Sequence, residues 1–96
     1  MLCERILVQS IPTLIWGKPS RTAYIYGHGK LGKKEEAEAF AEIAQRHGHQ
    51  TISFDLPQHG ERIGEEYPCS VWNGVEDFSK IAEFSRSSWE ELSFFG

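Results

Sequence analysis

The chain has 96 residues, which is enough for one small domain, and its 40% hydrophobic and 25% charged residues are typical of globular proteins. The formal net charge of −4 argues against nucleic acid or an anionic membrane surface as a partner. No apolar run approaches the roughly 20 residues that cross a bilayer, so we expect a cytoplasmic protein with no membrane contact.

The first half of the chain alternates short apolar runs with turn signals. Two β-rich runs at 5–9 and 12–16 are close enough to form an antiparallel hairpin. A compact apolar strand at 22–26 is followed by a glycine-rich loop at 27–32. Apolar residues at helical spacing then predict a helix over 34–47.

The ends of this helix carry their own signals. Gly48 is expected to stop it, because glycine readily adopts the left-handed conformation that follows many helices. Lys33 and Lys34 at its start are interpreted as solvated charges, since acidic residues follow them directly.

The second half repeats the alternation of strand and helix. It contains an alternating strand at 51–56, a long polar loop at 58–70, a helix at 71–87 and a final strand at 92–95. The second helix is expected to carry an apolar stripe of Val71, Val75, Phe78 and Ala82. Long loops in small domains are often functional. The whole order is β-β-β-α-β-α-β, which predicts an α/β domain with a largely parallel sheet and two main helices.

The glycine-rich loop fits more than one phosphate-binding pattern. Gly27, Gly29 and Gly32 form G-x-G-x-x-G, and Asp55 follows at a distance suited to a ribose-binding acid. A dinucleotide-binding module is therefore one alternative. A P-loop is less well matched, because Lys34 stands where that motif needs the Ser or Thr that binds Mg²⁺.

Two further motifs use more of the chain. His28-Gly29 follows an apolar strand, and Asp55-Leu-Pro-Gln-His59-Gly60-Glu follows the next strand. In its order of motifs, nearly the whole chain resembles the amino-terminal half of the α/β-hydrolase superfamily of serine esterases and lipases. The resemblance implies a three-layer half-fold with strand order 1-2-4-3-5, in which the first two strands form the antiparallel hairpin.

The resemblance also implies roles for single residues. In these hydrolases the loop after the third strand supplies one of two backbone N–H groups that bind the oxyanion. The residue after the His-Gly pair contributes it, which here is Lys30, with Gly29 allowing close approach and His28 supporting the loop. No metal or cofactor is expected.

The end of the sequence departs from the hydrolase pattern. Residues 92–95 resemble the strand before the nucleophile turn G-x-S-x-G, and Gly96 resembles its first glycine. We therefore expect residues 1–96 to form a single truncated domain without the nucleophile, acid and histidine of the triad, and to be inactive by themselves. A small acyl substrate is expected only if the missing half is supplied.

The same half-sheet predicts an association. The strand at 92–95 would be an unpaired edge carrying Phe94 and Phe95, and exposed edges pair with other chains. We expect a homo-oligomer formed through this edge. A non-catalytic interaction protein that uses the exposed half-sheet is the third function class that the sequence allows.

Overall fold

The computed structural model describes residues 1–95, and Gly96, predicted to begin the nucleophile turn, lies outside the described residues. A five-stranded sheet lies between two helices. In chain order the elements are β1 (Cys3–Val8), β2 (Ile11–Trp16), β3 (Thr22–Gly27), α1 (Glu38–Arg46), β4 (Gln50–Phe54), α2 (Val71–Arg86) and β5 (Glu91–Phe95).

The strands are ordered β1-β2-β4-β3-β5, as the resemblance implied. β2 pairs antiparallel with both β1 and β4, whereas β3 pairs parallel with both β4 and β5. Within this sheet β2 therefore runs against the other four strands. The predicted α/β class, the largely parallel sheet and the amino-terminal hairpin are confirmed.

The hairpin between β1 and β2 turns on two residues. Gln9 and Ser10 have φ of 48° and 70°, and the flanking residues Val8 and Ile11 pair directly. Positive φ at both central residues is the pattern of a type I′ turn, whose twist matches that of the strands it joins.

Each face of the sheet has its own core, which gives the three layers. On one face α2 buries Ile81 against Ile25, Ile52 and Phe54 of the central strands. On the other face α1 and the short 3-10 helix before it bury alanines against Leu14 and Trp16. Fully burying an Ile or Phe side chain contributes about 1.5–3 kcal/mol. Ile25, Ile52 and Phe54 therefore stabilise the central strands strongly.

The helix ends follow local sequence signals. The Ser70 hydroxyl accepts a hydrogen bond from the Asn73 amide at 3.1 Å, which caps the start of α2. Gly48 has φ 83° just beyond α1, and the His49 amide donates to the Ala44 carbonyl at 2.9 Å. The prediction that Gly48 stops the first helix is thus confirmed.

Two sequence interpretations need correction. The first helix begins as a 3-10 turn, Lys34–Ala37, and Lys34 is buried with only 1% of its surface exposed, not solvated. The predicted apolar stripe of the second helix is only partly core, because Val71 and Val75 are exposed. None of the helices in residues 1–95 is long and apolar enough to cross a membrane.

Candidate functional site

Two loops meet at the carboxyl edge of the parallel strands. The loop at 28–33 follows β3, the loop at 55–70 follows β4, and these strands are direct neighbours. Open α/β sheets bind their ligands at this edge. The chemistry-bearing residues that the sequence singled out therefore lie together.

Each loop begins with a turn of the same kind. The Gly32 amide donates to the Gly29 carbonyl at 3.0 Å, and Leu31 between them has φ 65°. In the second loop the His59 amide donates to the Leu56 carbonyl at 3.0 Å, and Gln58 has φ 63°. A positive φ at the third residue is the pattern of a type II turn. Both loops hold a non-glycine residue in a costly conformation, which is common at functional sites.

Two histidines join the loops reciprocally. His28 of the first loop accepts the Leu56 amide on Nε2 at 3.0 Å, and its Nδ1 lies 2.7 Å from the Gly29 carbonyl oxygen. His59 of the second loop accepts the Leu31 amide on Nε2 at 3.2 Å, and its Nδ1 lies 2.9 Å from the Pro57 carbonyl oxygen.

These contacts set the roles of the two nitrogens in each ring. Nε2 accepts an amide N–H, and Nδ1 faces a carbonyl oxygen to which it can donate. The rings also pack together, with centroids 4.9 Å apart. Each histidine thus binds the backbone of the opposite loop, and neither has a ring nitrogen left free for substrate.

Lys30 lies at the exposed tip of the first turn. Its backbone amide donates to no acceptor within residues 1–95, although the Leu31 and Gly32 amides beside it are both paired. The space beside Gly29 is open, since a side chain added there would meet no atom within 4 Å. The Lys30 N–H, unpaired within residues 1–95, therefore lies next to the open space beside Gly29, at the carboxyl edge of the parallel strands.

Beneath the loops, Asp55 is completely buried and binds Lys34, which directly follows the first loop, and Glu61 of the second loop. Its Oδ1 accepts the Lys34 amide at 2.8 Å, and its Oδ2 accepts the Lys34 ammonium at 2.9 Å and the Glu61 amide at 3.0 Å. Buried charges are tolerated when they are paired and hydrogen-bonded in this way. Asp55 therefore ties the start of the first helix to the second loop.

The Lys34 ammonium is surrounded by carboxylates. Besides Asp55 it contacts Glu61 at 2.7 Å and Glu35 at 3.1 Å. Burial alone would lower the pKa of Lys34, but hydrogen bonds to Glu61, Asp55 and Glu35 raise it above its ordinary value. Hydrogen bonds from Arg5 and Lys34 in turn lower the pKa of Glu61 to about 2. Lys34 and Glu61 are therefore both charged at neutral pH.

A second buried ion pair fixes the far side of the long loop. The Arg62 guanidinium donates to Asp77 of α2 at 2.6 Å, to the Asp55 carbonyl at 3.0 Å and to Glu65 at 2.9 Å. It also lies 5.4 Å from the centre of the Tyr67 ring. The loop after β4 is therefore anchored to both the sheet and α2.

The surroundings of Asp55 test whether this chain could be a dinucleotide-binding module. A ribose-binding acid must present its oxygens to the ligand, whereas both oxygens of Asp55 are buried and already accept hydrogen bonds. At the third position of the glycine pattern, Gly32 lies against the Glu36 side chain. The loop geometry thus gives this alternative no support.

The sequence singled out Gly29, Lys30 and Asp55, but it did not predict the buried ammonium of Lys34. One signal was available. A carboxylate at the end of a fully buried strand needs a partner, and the lysines beside the glycine loop were the nearest cations in the expected fold.

Comparisons with solved structures find the same fold in three proteins. TT1662 from Thermus thermophilus matches 97% of this chain with a TM-score of 0.74 at 21% identity. A cold-adapted esterase from an Arctic intertidal metagenomic library matches 96% with a TM-score of 0.69 at 19% identity. The thioesterase domain from the curacin biosynthetic pathway matches 88% with a TM-score of 0.68 at 16% identity.

The likeness covers only part of each of these structures. The chain spans 45%, 47% and 33% of their respective lengths. No protein-family model matches the chain, and no curated protein matches it in sequence. At identities this low, the structural matches show the fold alone: a partial α/β-hydrolase-like fold.

Proposed function

We propose that this chain provides the oxyanion-binding loop of an ester- or thioester-hydrolase type of site, with the Lys30 amide as the donor. One observation carries the proposal: the Lys30 N–H is unpaired within residues 1–95, while the amides on its carboxyl side are held in place. The likeness to an esterase and a thioesterase supports the choice of reaction class.

The proposed role uses the backbone amide of Lys30 and does not require its side chain. When a nucleophile attacks an acyl carbonyl, negative charge develops on the carbonyl oxygen, and a preoriented N–H stabilises it. A donor of this kind contributes about 2.7–4 kcal/mol of transition-state stabilisation in complete hydrolases. Gly29 leaves room for the substrate, and His28 and His59 hold the loop so that the N–H does not reorient.

Binding and turnover are separate properties in this proposal. Residues 1–96 contain no G-x-S-x-G sequence in which a nucleophilic serine could stand. We therefore propose that the chain by itself binds an oxyanion without hydrolysing the ester, and that the nucleophile, acid and histidine are supplied from outside these residues.

A titration followed by amide NMR tests the donor. Phenylphosphonate, an anionic mimic of the tetrahedral intermediate, is expected to shift the Lys30 amide proton downfield in a saturable way. Lys30→Pro removes the N–H, and proline suits the second position of a type II turn. This variant is expected to lose at least tenfold in affinity, read from the Gly29 and Leu31 amides.

Lys30→Ala is the matched control, since it removes the charge and keeps the N–H. It is expected to bind phenylphosphonate as the parent chain does. If Lys30→Pro binds equally well, or if Lys30→Ala abolishes binding, the backbone amide is not the donor. Robust turnover of p-nitrophenyl acetate by the chain alone would contradict the separation of binding from hydrolysis.

A further inference from the structure

The hydrogen bonds between the two loops depend on two imidazole nitrogens that carry no proton. Nε2 of His28 accepts the Leu56 amide at 3.0 Å, and Nε2 of His59 accepts the Leu31 amide at 3.2 Å. A protonated nitrogen has no lone pair with which to accept an N–H. Unconstrained histidine takes up a proton at about pH 6.5, close to neutrality. Mild acid is therefore able to break both bonds.

Protonation acts on the bonds between the loops and spares the contacts within each loop. Nδ1 of His28 lies 2.7 Å from the Gly29 carbonyl oxygen, and Nδ1 of His59 lies 2.9 Å from the Pro57 carbonyl oxygen. Each carbonyl belongs to the same loop as its histidine, and a protonated ring can still donate to it from Nδ1. The new N–H on Nε2 faces the amide of the opposite loop, donor against donor. A charged ring therefore stays with its own loop and separates from the other.

The closed arrangement is unfavourable for a positive charge on either ring. His28 is only 6% exposed, and burying an unpaired charge is costly. The ring centroids of His28 and His59 are 4.9 Å apart, so a second positive charge would lie beside the first. Each proton taken up therefore favours separation of the two rings.

The charged side chains of the surrounding elements form their ion pairs elsewhere. They are Lys30 and Lys33 in the first loop, Asp55, Glu61, Arg62, Glu65 and Glu66 in the second, and Asp77 on α2. Asp55 and Glu61 bind Lys34, and Arg62 binds Glu65 and Asp77. Among residues 1–95 no carboxylate forms an ion pair with either imidazole, so no counter-charge stabilises a protonated ring in the closed arrangement.

The ion cluster beneath the loops keeps its charges in the pH range where histidine titrates. Burial alone would lower the pKa of Lys34, but hydrogen bonds to Glu61, Asp55 and Glu35 raise it. The pKa of Glu61 is lowered to about 2 by Arg5 and Lys34. Mild acid therefore leaves the base of the two loops joined and acts only on the contacts above it.

We propose that His28 and His59 form a pH-operated latch between the two loops, closed when both imidazoles are neutral and opened as a unit by proton uptake. The closed latch holds the Leu31 amide, and with it the neighbouring Lys30 amide. Opening frees the tip of the first loop while the sheet stays folded. The latch rests on the contacts between the loops and does not require that the Lys30 amide binds an oxyanion. If it does, acid weakens that binding.

Solvent exchange of the Leu31 and Leu56 amides, measured by NMR between about pH 7.5 and 5, tests the latch. Each rate is divided by that of an unstructured peptide at the same pH to give a protection factor. Both amides are expected to lose protection together below about pH 6.5. Because the open form binds two protons that the closed form does not, protection is expected to fall by up to about 100-fold per pH unit. The amides of Ile25 and Ile52, in the buried central strands, are expected to stay protected.

Single replacements test whether the two histidines act together. His59→Gln removes one titrating ring and offers the Leu31 amide a carbonyl oxygen instead. In this variant the protection of Leu56 is expected to fall by only about tenfold per pH unit, because one proton remains linked to opening. His28→Gln is the reciprocal variant, read at Leu31, and it serves if His59→Gln does not fold. His47→Gln is the matched control, since this exposed histidine at the end of α1 lies outside both loops, and it is expected to behave as the parent chain.

The outcomes separate the latch from the proposed function, because no measurement includes a ligand. Protection of Leu31 and Leu56 that persists at about pH 5 would overturn the latch. So would loss of the two amides at clearly different pH values, since the histidines would then act independently. Loss of protection at Ile25 and Ile52 over the same pH range would show global unfolding in place of a local opening.

Discussion

Replacing Asp55 by alanine is expected to lower the free energy of unfolding by about 3–5 kcal/mol, a large part of the stability of a domain this small. The carboxylate is fully buried and accepts hydrogen bonds from Lys34 and Glu61. Its removal leaves a buried ammonium with fewer counter-charges, and it leaves the buried Lys34 amide and the half-buried Glu61 amide without acceptors. Urea unfolding followed by circular dichroism measures the loss.

Glu35→Ala provides the comparison, because Glu35 contacts the same ammonium at 3.1 Å while its side chain is 48% exposed. A solvent-exposed ion pair contributes only about 0–1 kcal/mol. We expect the Glu35 variant to unfold near the midpoint of the parent chain. Equal losses for Asp55→Ala and Glu35→Ala would show that the buried carboxylate does not tie the start of the first helix to the second loop.

Replacing Gly60 by alanine is expected to cost about 2–4 kcal/mol for two separate reasons. Gly60 has φ 54°, in the left-handed region, and an added Cβ would overlap the Asp55 carboxylate. The second loop would have to move away from Asp55 and disturb its hydrogen bonds. Thermal and urea unfolding report the change.

Gly48→Ala separates the two causes. Gly48 also has a positive φ, 83°, but a Cβ there meets no atom within 4 Å. This variant should lose only the conformational part, about 1–2 kcal/mol. If both alanine variants lose the same amount, the close approach of Gly60 to Asp55 does not contribute to stability.

Much of the fold was predictable because it depends on local patterns. Alternating strands, an apolar helix stripe and glycine stops depend on neighbours in sequence, and they gave the order of elements. The strand order 1-2-4-3-5 came from the resemblance, and the structure confirms it. The exposure of Val71 and Val75 was not predictable, because an apolar stripe does not reveal whether another element covers it.

The position of the candidate site was predictable from the sequence, but the buried contacts beneath its loops were not. The histidines and Lys30 stand in recognisable motifs, whereas the role of Lys34 depends on Asp55, which is 21 residues away in sequence. Next to Lys33 and two glutamates, Lys34 has the local pattern of a solvated residue. In the folded chain the buried Asp55 carboxylate accepts a hydrogen bond from the Lys34 ammonium, so Lys34 is buried and not solvated.

The joined loops hold the Lys30 amide in place and leave it unpaired within residues 1–95. Solvent exchange of the loop amides, measured by NMR, tests this most directly. Lys30 is expected to exchange close to the rate of an unstructured peptide, and Leu31 more slowly because its amide donates to His59 at 3.2 Å. His59→Ala should bring Leu31 to the rate of Lys30. A Lys30 amide as protected as that of Leu31 would contradict the account.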